Sequence, residues 1–481
     1  MLALICGALM PLAFSPFDHN WLAIPCLTGW LWLIGQGRPI RCGFAFGFGW
    51  FGFGAWWLAP TLHIYGHLPW LAAAFCVFLV GVVMAMLPAW WAWLTWKTAG
   101  GSAWVLLSFP AAAIAEEWVR GHLFTGLPWT ALGNLLLDTP AIGWAAWFGV
   151  YGAALLPALI AASLLLLLTA GRQRAGAAGM TAVALLMIFA PAPMAATGAF
   201  HTAALVQANI PQDKKWDADF VNATMQRYAR LSAGAAAHAD LLIWPEAAIP
   251  FFLERAPGWS AWLDQQVQSW QTPLLYGGLK LTGERMAQNG LFAFDPQTAT
   301  TLSKRDFAGK HHLVPFGEYV PSWIPFLHTL VPEIANFRPA EDDGVVRLRS
   351  IAFGALICYE SLFPEEARSR VQHGAQVLVN VTNDAWYGTT PAAWQHFQAA
   401  RMRAVETGRY VLRAANTGVT AIIQPDGVVA EEAPWWTQTA LLGRFQLSDA
   451  QTRYVRWGDW PLLICLIMFM IPLYARVRKR S

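Results

Sequence analysis

The chain contains the stretch Phe353-Gly-Ala-Leu-Ile-Cys-Tyr-Glu-Ser-Leu-Phe363, in which an apolar run becomes polar at a cysteine. Cys358 is the only cysteine between His201 and Arg456, so a disulfide to it would need a partner from a distant, strongly apolar segment. A cysteine at the end of a strand is a candidate nucleophile, because a thiolate attacks acyl carbons readily. A buried structural cysteine is the alternative, and the surrounding motifs have to distinguish the two.

The composition indicates a large membrane-embedded part. Of the 481 residues, 56% are hydrophobic and 13% are charged, whereas soluble domains carry about 25% charged residues. Apolar segments suited to crossing a bilayer, which takes about 20 residues, lie at 1–16, 20–36, 42–60, 70–96, 102–119, 140–169, 180–198 and 459–475. These segments predict an α-helical membrane bundle of about eight transmembrane helices.

The basic residues predict the orientation of these helices. With a cytoplasmic N-terminus, Arg120 is the only basic residue outside 199–457 that falls on the outer side, as the positive-inside rule favours. The residues on the cytoplasmic side are Arg38, Arg41, Lys97, Arg172, Arg174, Arg476, Arg478, Lys479 and Arg480. We therefore expect a membrane domain of seven helices at 1–198, an outer domain at 199–457, and an eighth helix with a basic cytoplasmic tail at 458–481.

The outer domain has the pattern of a single α/β domain. Its acidic and basic residues are nearly balanced, which argues against a nucleic-acid-binding surface. Short aliphatic runs alternate with helical patterns, which predicts strands at 203–210, 240–244, 273–277, 290–295, 299–307, 345–356, 376–382, 410–415 and 419–424. Helices are predicted at 218–237, 258–270, 364–373 and 391–408. We expect the Pro- and aromatic-rich stretch 320–340 to be a loop that touches the membrane or covers a site.

Three reactive side chains follow predicted strands. Glu246 comes after a short apolar strand, Lys310 lies in a loop, and Cys358 ends a third strand. A carboxylate can take the thiol proton, the thiolate can attack an acyl carbonyl, and an ammonium group can stabilise the oxyanion. Each signal alone is weak, because a lone Lys or Glu in a loop is more often a solvated surface residue.

The order of the motifs resembles the Glu-Lys-Cys triad of the nitrilase superfamily. The motifs are Trp244-Pro-Glu246, then Lys310 followed by Leu313-Val-Pro-Phe-Gly-Glu318, then Cys358-Tyr-Glu360. The whole chain is similar to bacterial apolipoprotein N-acyltransferases, and the further matching motifs are Thr125-Gly-Leu-Pro-Trp129, Val206-Gln-Ala-Asn-Ile-Pro-Gln212, Asn383-Asp-Ala-Trp-Tyr-Gly388, Trp394-Gln-His-Phe-Gln398 and Arg401-Met-Arg403. One departure is that this chain lacks the basic stretch that usually precedes the first span.

This resemblance implies an αββα sandwich that faces the periplasm from the bacterial inner membrane. It implies a ping-pong acyltransferase in which Cys358 is the nucleophile, Glu246 the base and Lys310 the oxyanion stabiliser. The acyl donor would be the sn-1 chain of a phospholipid, typically phosphatidylethanolamine. The acceptor would be the N-terminal amine of the diacylglyceryl-cysteine of an apolipoprotein.

Five further positions match functional residues of the resembled family. Glu318 and Glu360 match supporting carboxylates, although salt-bridge residues would give the same pattern. Trp216, Tyr359 and Trp386 match aromatic residues implicated in substrate access or acyl-chain contact, although an ordinary aromatic core would also place them there.

Two other functions remain open at the level of sequence. The first is a membrane-anchored nitrilase-like amidase or hydrolase that uses the same triad with water as the acceptor. The second is a transporter or scaffold with a degenerate outer domain, which the scarcity of polar residues in the spans disfavours. We expect no cofactor and no metal, because His311 and His312 have no third ligand at suitable spacing. The absence of coiled-coil heptads favours a monomer.

Overall fold

The computed structural model describes residues 1–99, 101–283, 286–298, 302–320 and 337–478. Most of the predicted loop at 320–340 therefore lies outside the described residues. The chain divides into two units, of which the first comprises Met1–Ala192, Thr389–Gln398 and Trp457–Ser481. The second comprises Pro193–Gly388 and Ala399–Arg456.

The first unit is helical. Its α-helices are α1 (Leu2–Leu9), α2 (Ala23–Ile34), α3 (Pro39–Gly47), α4 (Leu58–Ile64), α5 (Trp70–Ala99), α6 (Val105–His122), α7 (Ala145–Ala153), α8 (Leu155–Leu168) and α9 (Gln173–Ile188). Near the end of the chain the same unit contains the helix Pro461–Arg478. Short 3-10 or π-helical turns interrupt the series, for example Met10–Ala13 and Phe48–Gly52.

Aromatic side chains fill the centre of the helical unit. Trp30 stacks on Phe46 with ring centroids 4.1 Å apart and meets Trp91 edge-on at 4.8 Å. The indole N–H of Trp91 donates to the carbonyl of Phe109 at 3.0 Å, so this buried polar group is satisfied. At Gly43, a Cβ atom would lie 2.6 Å from the Cα of Ala89, so glycine lets α3 approach α5 closely.

The predicted count of about eight transmembrane helices is not confirmed. Within the described part of the chain, α5 is the one continuous helix long and apolar enough to cross a membrane. The segments Ile142–Ala153 and Leu155–Leu168 pass the same test together but are bent by 71°. Hydropathy counts apolar residues and does not detect such breaks, one of which is the non-helical backbone of Gly149 (φ 68°, ψ 176°) inside α7.

The second unit contains two six-stranded sheets. The strands are β1 (Phe200–Gln207), β2 (Leu241–Trp244), β3 (Leu274–Leu281), β4 (Ala287–Phe294), β5 (Asp306–Gly309), β6 (Val345–Leu348), β7 (Ile351–Ile357), β8 (Val377–Thr382), β9 (Val411–Ala415), β10 (Ala421–Ile423), β11 (Val429–Glu432) and β12 (Thr439–Gln446). One sheet has the order β12-β1-β2-β3-β4-β5 and the other β11-β10-β9-β8-β7-β6. In each sheet the central strands are parallel, as β1, β2 and β3 are, and as β7, β8 and β9 are.

Apolar side chains from both sheets form one core between them. Leu205 and Ile243 of the first sheet share this core with Phe353, Ile357 and other residues of the second. The outer face of the first sheet packs against α11 (Val221–Ala236) and α12 (Pro257–Trp270). On the second sheet, α13 (Pro364–Gln372) contacts β7. The unit is thus an αββα sandwich, as expected. The remaining helices are the short α10 (Gln212–Lys215), the longer α14 (Ala392–Thr407) and the short α15 (Arg453–Trp457). The helix Pro461–Arg478 is numbered α16.

Most predicted elements of the sandwich are confirmed, with shifted ends. The single strand predicted at 345–356 is wrong, because the chain turns at Arg349 (φ 55°) and forms the antiparallel pair β6 and β7. Strands β11 and β12 were not predicted. Strands β10 and β11 pair antiparallel across a turn at Pro425-Asp426-Gly427.

Candidate active site

The polar side chains of the site follow the carboxyl ends of four strands. β2 leads to Glu246, β5 to Lys310, β7 to Cys358 and β8 to Asn383. β5 runs in the same direction as β3 and β2, because β3 and β5 both pair antiparallel with β4. β7 and β8 are parallel. Each sheet therefore delivers its reactive residues at one edge, as is usual for sites built on parallel strands.

Glu246 is buried and held by hydrogen bonds, with 7% of its surface exposed. Its Oε1 accepts from the side-chain N–H of Asn289 at 2.8 Å, and its Oε2 accepts from the backbone N–H of Asn383 at 3.0 Å. The strand β3 passes so close that a Cβ at Gly277 would lie 2.6 Å from the Cα of Glu246. The carboxylate is therefore fixed in orientation by groups from both sheets.

Lys310 is an ammonium group between two carboxylates. Its Nζ lies 2.8 and 2.7 Å from the two oxygens of Glu318 and 3.9 Å from Oε1 of Glu246. Burial lowers the pKa of Lys310, but the charges of Glu318 and Glu246 outweigh burial and raise this pKa above its ordinary value. Lys310 is therefore a permanent cation of the site.

Cys358 begins a 3-10 turn directly after β7, with a left-handed backbone (φ 52°) that is uncommon for a residue with a Cβ. The residue is 9% exposed. Burial raises the pKa of its thiol well above the usual range, the charge of Glu246 raises it further, and Lys310 and a hydrogen bond with Thr382 act in the opposite direction. The resting side chain is consequently a thiol, and an adjacent base must remove its proton.

The two predicted supporting carboxylates both contact elements of the site. Glu318 receives the Lys310 ammonium and also accepts from the backbone N–H of Val314 at 2.8 Å. Glu360 is fully buried. Its oxygens accept from the backbone N–H groups of His311 and Ile357, both at 2.7 Å. Glu360 thus joins the loop after Lys310 to the end of strand β7.

The three predicted aromatic residues differ in exposure. Tyr359 is 7% exposed, and burial raises the pKa of its hydroxyl. Trp216 and Trp386 are 49% and 39% exposed. Tyr387, next to Trp386, has a pKa raised well above its ordinary value, chiefly because its hydroxyl is buried. Tyr359 is thus buried within the site, whereas the two tryptophans are partly exposed.

Sequence reasoning gave no role to three residues that contact Glu246. Asn289 and Asn383 are the hydrogen-bond donors to its carboxylate, and Lys215 donates from Nζ to its backbone carbonyl at 2.8 Å. Asn383 lies in a motif that was noted, whereas Asn289 carries no sequence signal. Lys215 follows Lys214, and such a pair is typical of a solvated surface.

This arrangement is suited to acyl transfer through a thioester. Glu246 can accept the thiol proton, Cys358 can attack an acyl carbon, and Lys310 can balance negative charge on the oxygen of the tetrahedral intermediate. His311 and His312, considered above as metal ligands, have other contacts. His311 pairs with Asp342 at 3.0 Å, and His312 stacks on a phenylalanine ring at 3.6 Å.

Comparisons with known proteins agree with the two-part organisation. The apolipoprotein N-acyltransferase N-terminal domain profile matches residues 6–163, and the carbon-nitrogen hydrolase profile matches residues 202–454. A similar solved structure is Saccharomyces cerevisiae Nit3, a member of branch 10 of the nitrilase superfamily, with a TM-score of 0.39 and 19% identity over 52% of this chain and 91% of that one.

Curated relatives match along the whole chain. The apolipoprotein N-acyltransferase of Methylococcus capsulatus is 38% identical and aligns with 100% of this chain and 97% of its own length. The apolipoprotein N-acyltransferase of Ralstonia nicotianae is 35% identical over 99% of this chain and 93% of its own length. Because identity at this level extends across both the helical unit and the sandwich, the chain belongs to the apolipoprotein N-acyltransferase family.

Proposed function

We propose that this protein transfers a fatty acyl chain from a phospholipid to the N-terminal amine of diacylglyceryl-cysteine on apolipoproteins, through a thioester on Cys358. The observation that carries the proposal is the buried group of Glu246, Lys310 and Cys358 at the strand ends of the sandwich. Full-length relatives named apolipoprotein N-acyltransferase supply the substrate class.

In the first half-reaction, Glu246 takes the thiol proton and Cys358 Sγ bonds to the carbonyl carbon of the sn-1 ester. The oxygen of that carbonyl becomes an anion, which the Lys310 ammonium stabilises. The intermediate collapses by breaking the ester C–O bond. The departing alkoxide of the lysophospholipid takes the proton from Glu246, and an acyl-thioester remains.

In the second half-reaction, the acceptor amine attacks the thioester carbonyl. The amine gives a proton to Glu246, and Lys310 again balances the charge on the oxygen. Collapse breaks the C–S bond and forms the amide, and the Cys358 thiolate recovers its proton from Glu246. The same three side chains therefore serve both steps, and no cofactor is needed.

Hydrolysis by the same triad is the competing function, with water in place of the amine. The triad alone does not separate the two. Relatives named apolipoprotein N-acyltransferase match along the helical unit as well as the sandwich, which favours transfer.

The proposed lipid substrates agree with the aromatic surface near the site. The exposed rings of Trp216 and Trp386 are proposed to contact acyl chains, since half-exposed indoles suit an apolar chain beside a polar head group. Phosphatidylethanolamine is the proposed donor. The protein is proposed to act as a monomer.

The proposal includes a bilayer topology. Helices within 1–198 cross seven times, the domain 199–457 faces the periplasm, and the helix within 458–481 returns the chain to the cytoplasm, where both termini lie. The distribution of basic residues supports this orientation. In this topology the shorter and bent apolar helices are spans that turns interrupt.

Incubation of the purified full-length protein with phosphatidylethanolamine should add one fatty acyl group to the peptide that contains Cys358, detected by mass spectrometry. Addition of a diacylated lipopeptide should then remove this adduct and yield the N-acylated peptide. Release of free fatty acid in place of that product would reject transfer in favour of hydrolysis.

Glu360→Gln is expected to lower both stability and the rate of acyl-enzyme formation. The carboxylate accepts several backbone N–H groups and pairs with Arg370 at 3.3 Å, and an amide offers only one accepting oxygen. Hydrogen bonds to a charged group contribute about 1.5–3 kcal/mol, so thermal unfolding should move to lower temperature. Glu341→Gln at an exposed position is the matched control. Unchanged unfolding of Glu360→Gln would show that these bonds do not hold the loop.

A further inference from the structure

Lys215 is a buried ammonium group that the mechanism above does not use. It ends the short helix α10 and is 3% exposed. Its Nζ donates to the backbone carbonyl of Glu246 at 2.8 Å. In the described part of the chain, no carboxylate oxygen lies within ion-pair distance of this Nζ, in contrast to Lys310 with its two close contacts to Glu318.

Such a group is costly to the fold. Buried charges are normally paired, because removing an ion from water is unfavourable unless a close counter-charge compensates. Burial lowers the pKa of Lys215 to about 8, while the charges of Glu246 and Cys358 act to raise it. A neutral side chain of the same length would fill this space at lower free energy, which points to a role in the chemistry.

The balance of charges in the site indicates what this role is. The ammonium group of Lys310 pairs closely with Glu318, at 2.7 Å. Its distance to the carboxylate of Glu246 is longer, at 3.9 Å. Lys215 is the second cation, and with it the two carboxylates and two ammonium groups balance. Transfer of the proton from Cys358 to Glu246 moves the negative charge from the carboxylate to the thiolate. The net charge of the site stays the same. Without Lys215, the same step would take place in a buried site with an uncompensated negative charge.

The other charge that acts on the thiol is already neutralised. Asp384 raises the pKa of Cys358, but its Oδ2 pairs with Arg413 at 2.7 Å. Among the residues that the structure describes, this leaves Lys215 and Lys310 as the cations whose charges interact with that of the Cys358 thiolate.

We propose that Lys215 is a positioning and charge-balancing residue of the acyl transfer, which holds the main chain of Glu246 and supplies the second positive charge that favours the Cys358 thiolate. This inference rests on the function proposed above. It deepens that function by assigning a fourth group to the reaction.

Lys215→Met in the full-length protein is expected to slow acyl-enzyme formation from phosphatidylethanolamine at pH 7 by about tenfold or more. The reason is that a rise of one unit in the pKa of the thiol lowers the thiolate population by about a factor of ten. Lys214→Met is the matched control, because that neighbouring side chain is 42% exposed, and it should react like the wild type. Equal rates for the two variants would overturn the proposal.

The pH dependence separates charge balance from a purely structural role. Because the pKa of Lys215 lies near 8, its positive charge is present below that pH and is lost above it. Acyl-enzyme formation by the wild type should therefore fall as the pH rises through about 8. Lys215→Arg keeps its charge throughout this range, so its rate should not fall there. A decline near pH 8 that persists unchanged in Lys215→Arg would also overturn the proposal. This comparison of pH profiles still tests the proposal if Lys215→Met does not fold.

Alkylation of Cys358 by iodoacetamide needs no lipid and distinguishes this inference from the proposed function. Mass spectrometry of the Cys358 peptide should show slower alkylation in Lys215→Met than in Lys214→Met at pH 7. A wild type that is alkylated but never acylated would reject the proposed function. The alkylation rates of the two variants would still test the effect of Lys215 on the thiol.

Discussion

Cys358→Ala is expected to abolish both acyl-enzyme formation and transfer to a diacylated lipopeptide. The side chain carries the only thiol in the sandwich, and alanine leaves no atom that can bond to the acyl carbon. Removal of a catalytic nucleophile lowers turnover by on the order of 10⁶ in a comparable covalent mechanism. The measurement is acylation of the Cys358 peptide and production of N-acylated peptide by mass spectrometry.

Cys358→Ser is the matched control for this loss. The hydroxyl is similar in size but a much weaker nucleophile, so a trace of product is the most that we expect. Both variants should unfold at nearly the wild-type temperature, because the thiol contributes little more than its small buried surface. A fully active Cys358→Ala protein would rule out the thioester mechanism.

Lys310→Met is expected to have the second-largest effect, on both activity and stability. Loss of one oxyanion-stabilising donor lowers the rate by about 10²–10³. Removal of one partner from a buried ion pair costs about 3–5 kcal/mol of stability, because Glu318 and Glu246 would remain as uncompensated charges. Acyl-enzyme formation and thermal unfolding in detergent measure the two effects.

The double variant Lys310→Met with Glu318→Gln separates these effects. It removes one positive and one negative charge, and the amide oxygen can still accept from the backbone N–H of Val314. Stability should therefore return in large part, while acyl-enzyme formation should stay low. Recovery of acylation in the double variant would mean that Lys310 acts only as a counter-ion for Glu318.

The resemblance that the motifs carry implied the αββα sandwich, which the structure has, and it assigned the candidate triad. Glu246, Lys310 and Cys358 each follow a strand, and parallel strands bring such ends to one edge. The alternation of short apolar runs and amphipathic helices predicted most strands within a few residues. It failed at 345–356, where the local pattern is that of one strand and a single left-handed residue, Arg349, creates a hairpin.

In the membrane part, the sequence predicted apolar segments but not the bends within them. Apolar composition alone identified the segment that became α5, since any helix in lipid must satisfy its backbone internally and be apolar along its length. It did not detect the bend of 71° between α7 and α8, because an apolar run has the same hydropathy whether its helix is straight or bent.

The sequence by itself determined which chemical groups the protein possesses and the order in which strands present them. Only the tertiary structure decided how these groups are paired. The hydrogen bond from the Asn383 backbone to Glu246 joins positions 137 residues apart, and the tether from Lys215 joins positions 31 apart. Such contacts depend on the relative placement of two sheets and a helix, which no local pattern encodes. For that reason a lysine that reads as a surface charge in the sequence becomes a buried cation beside the proposed base.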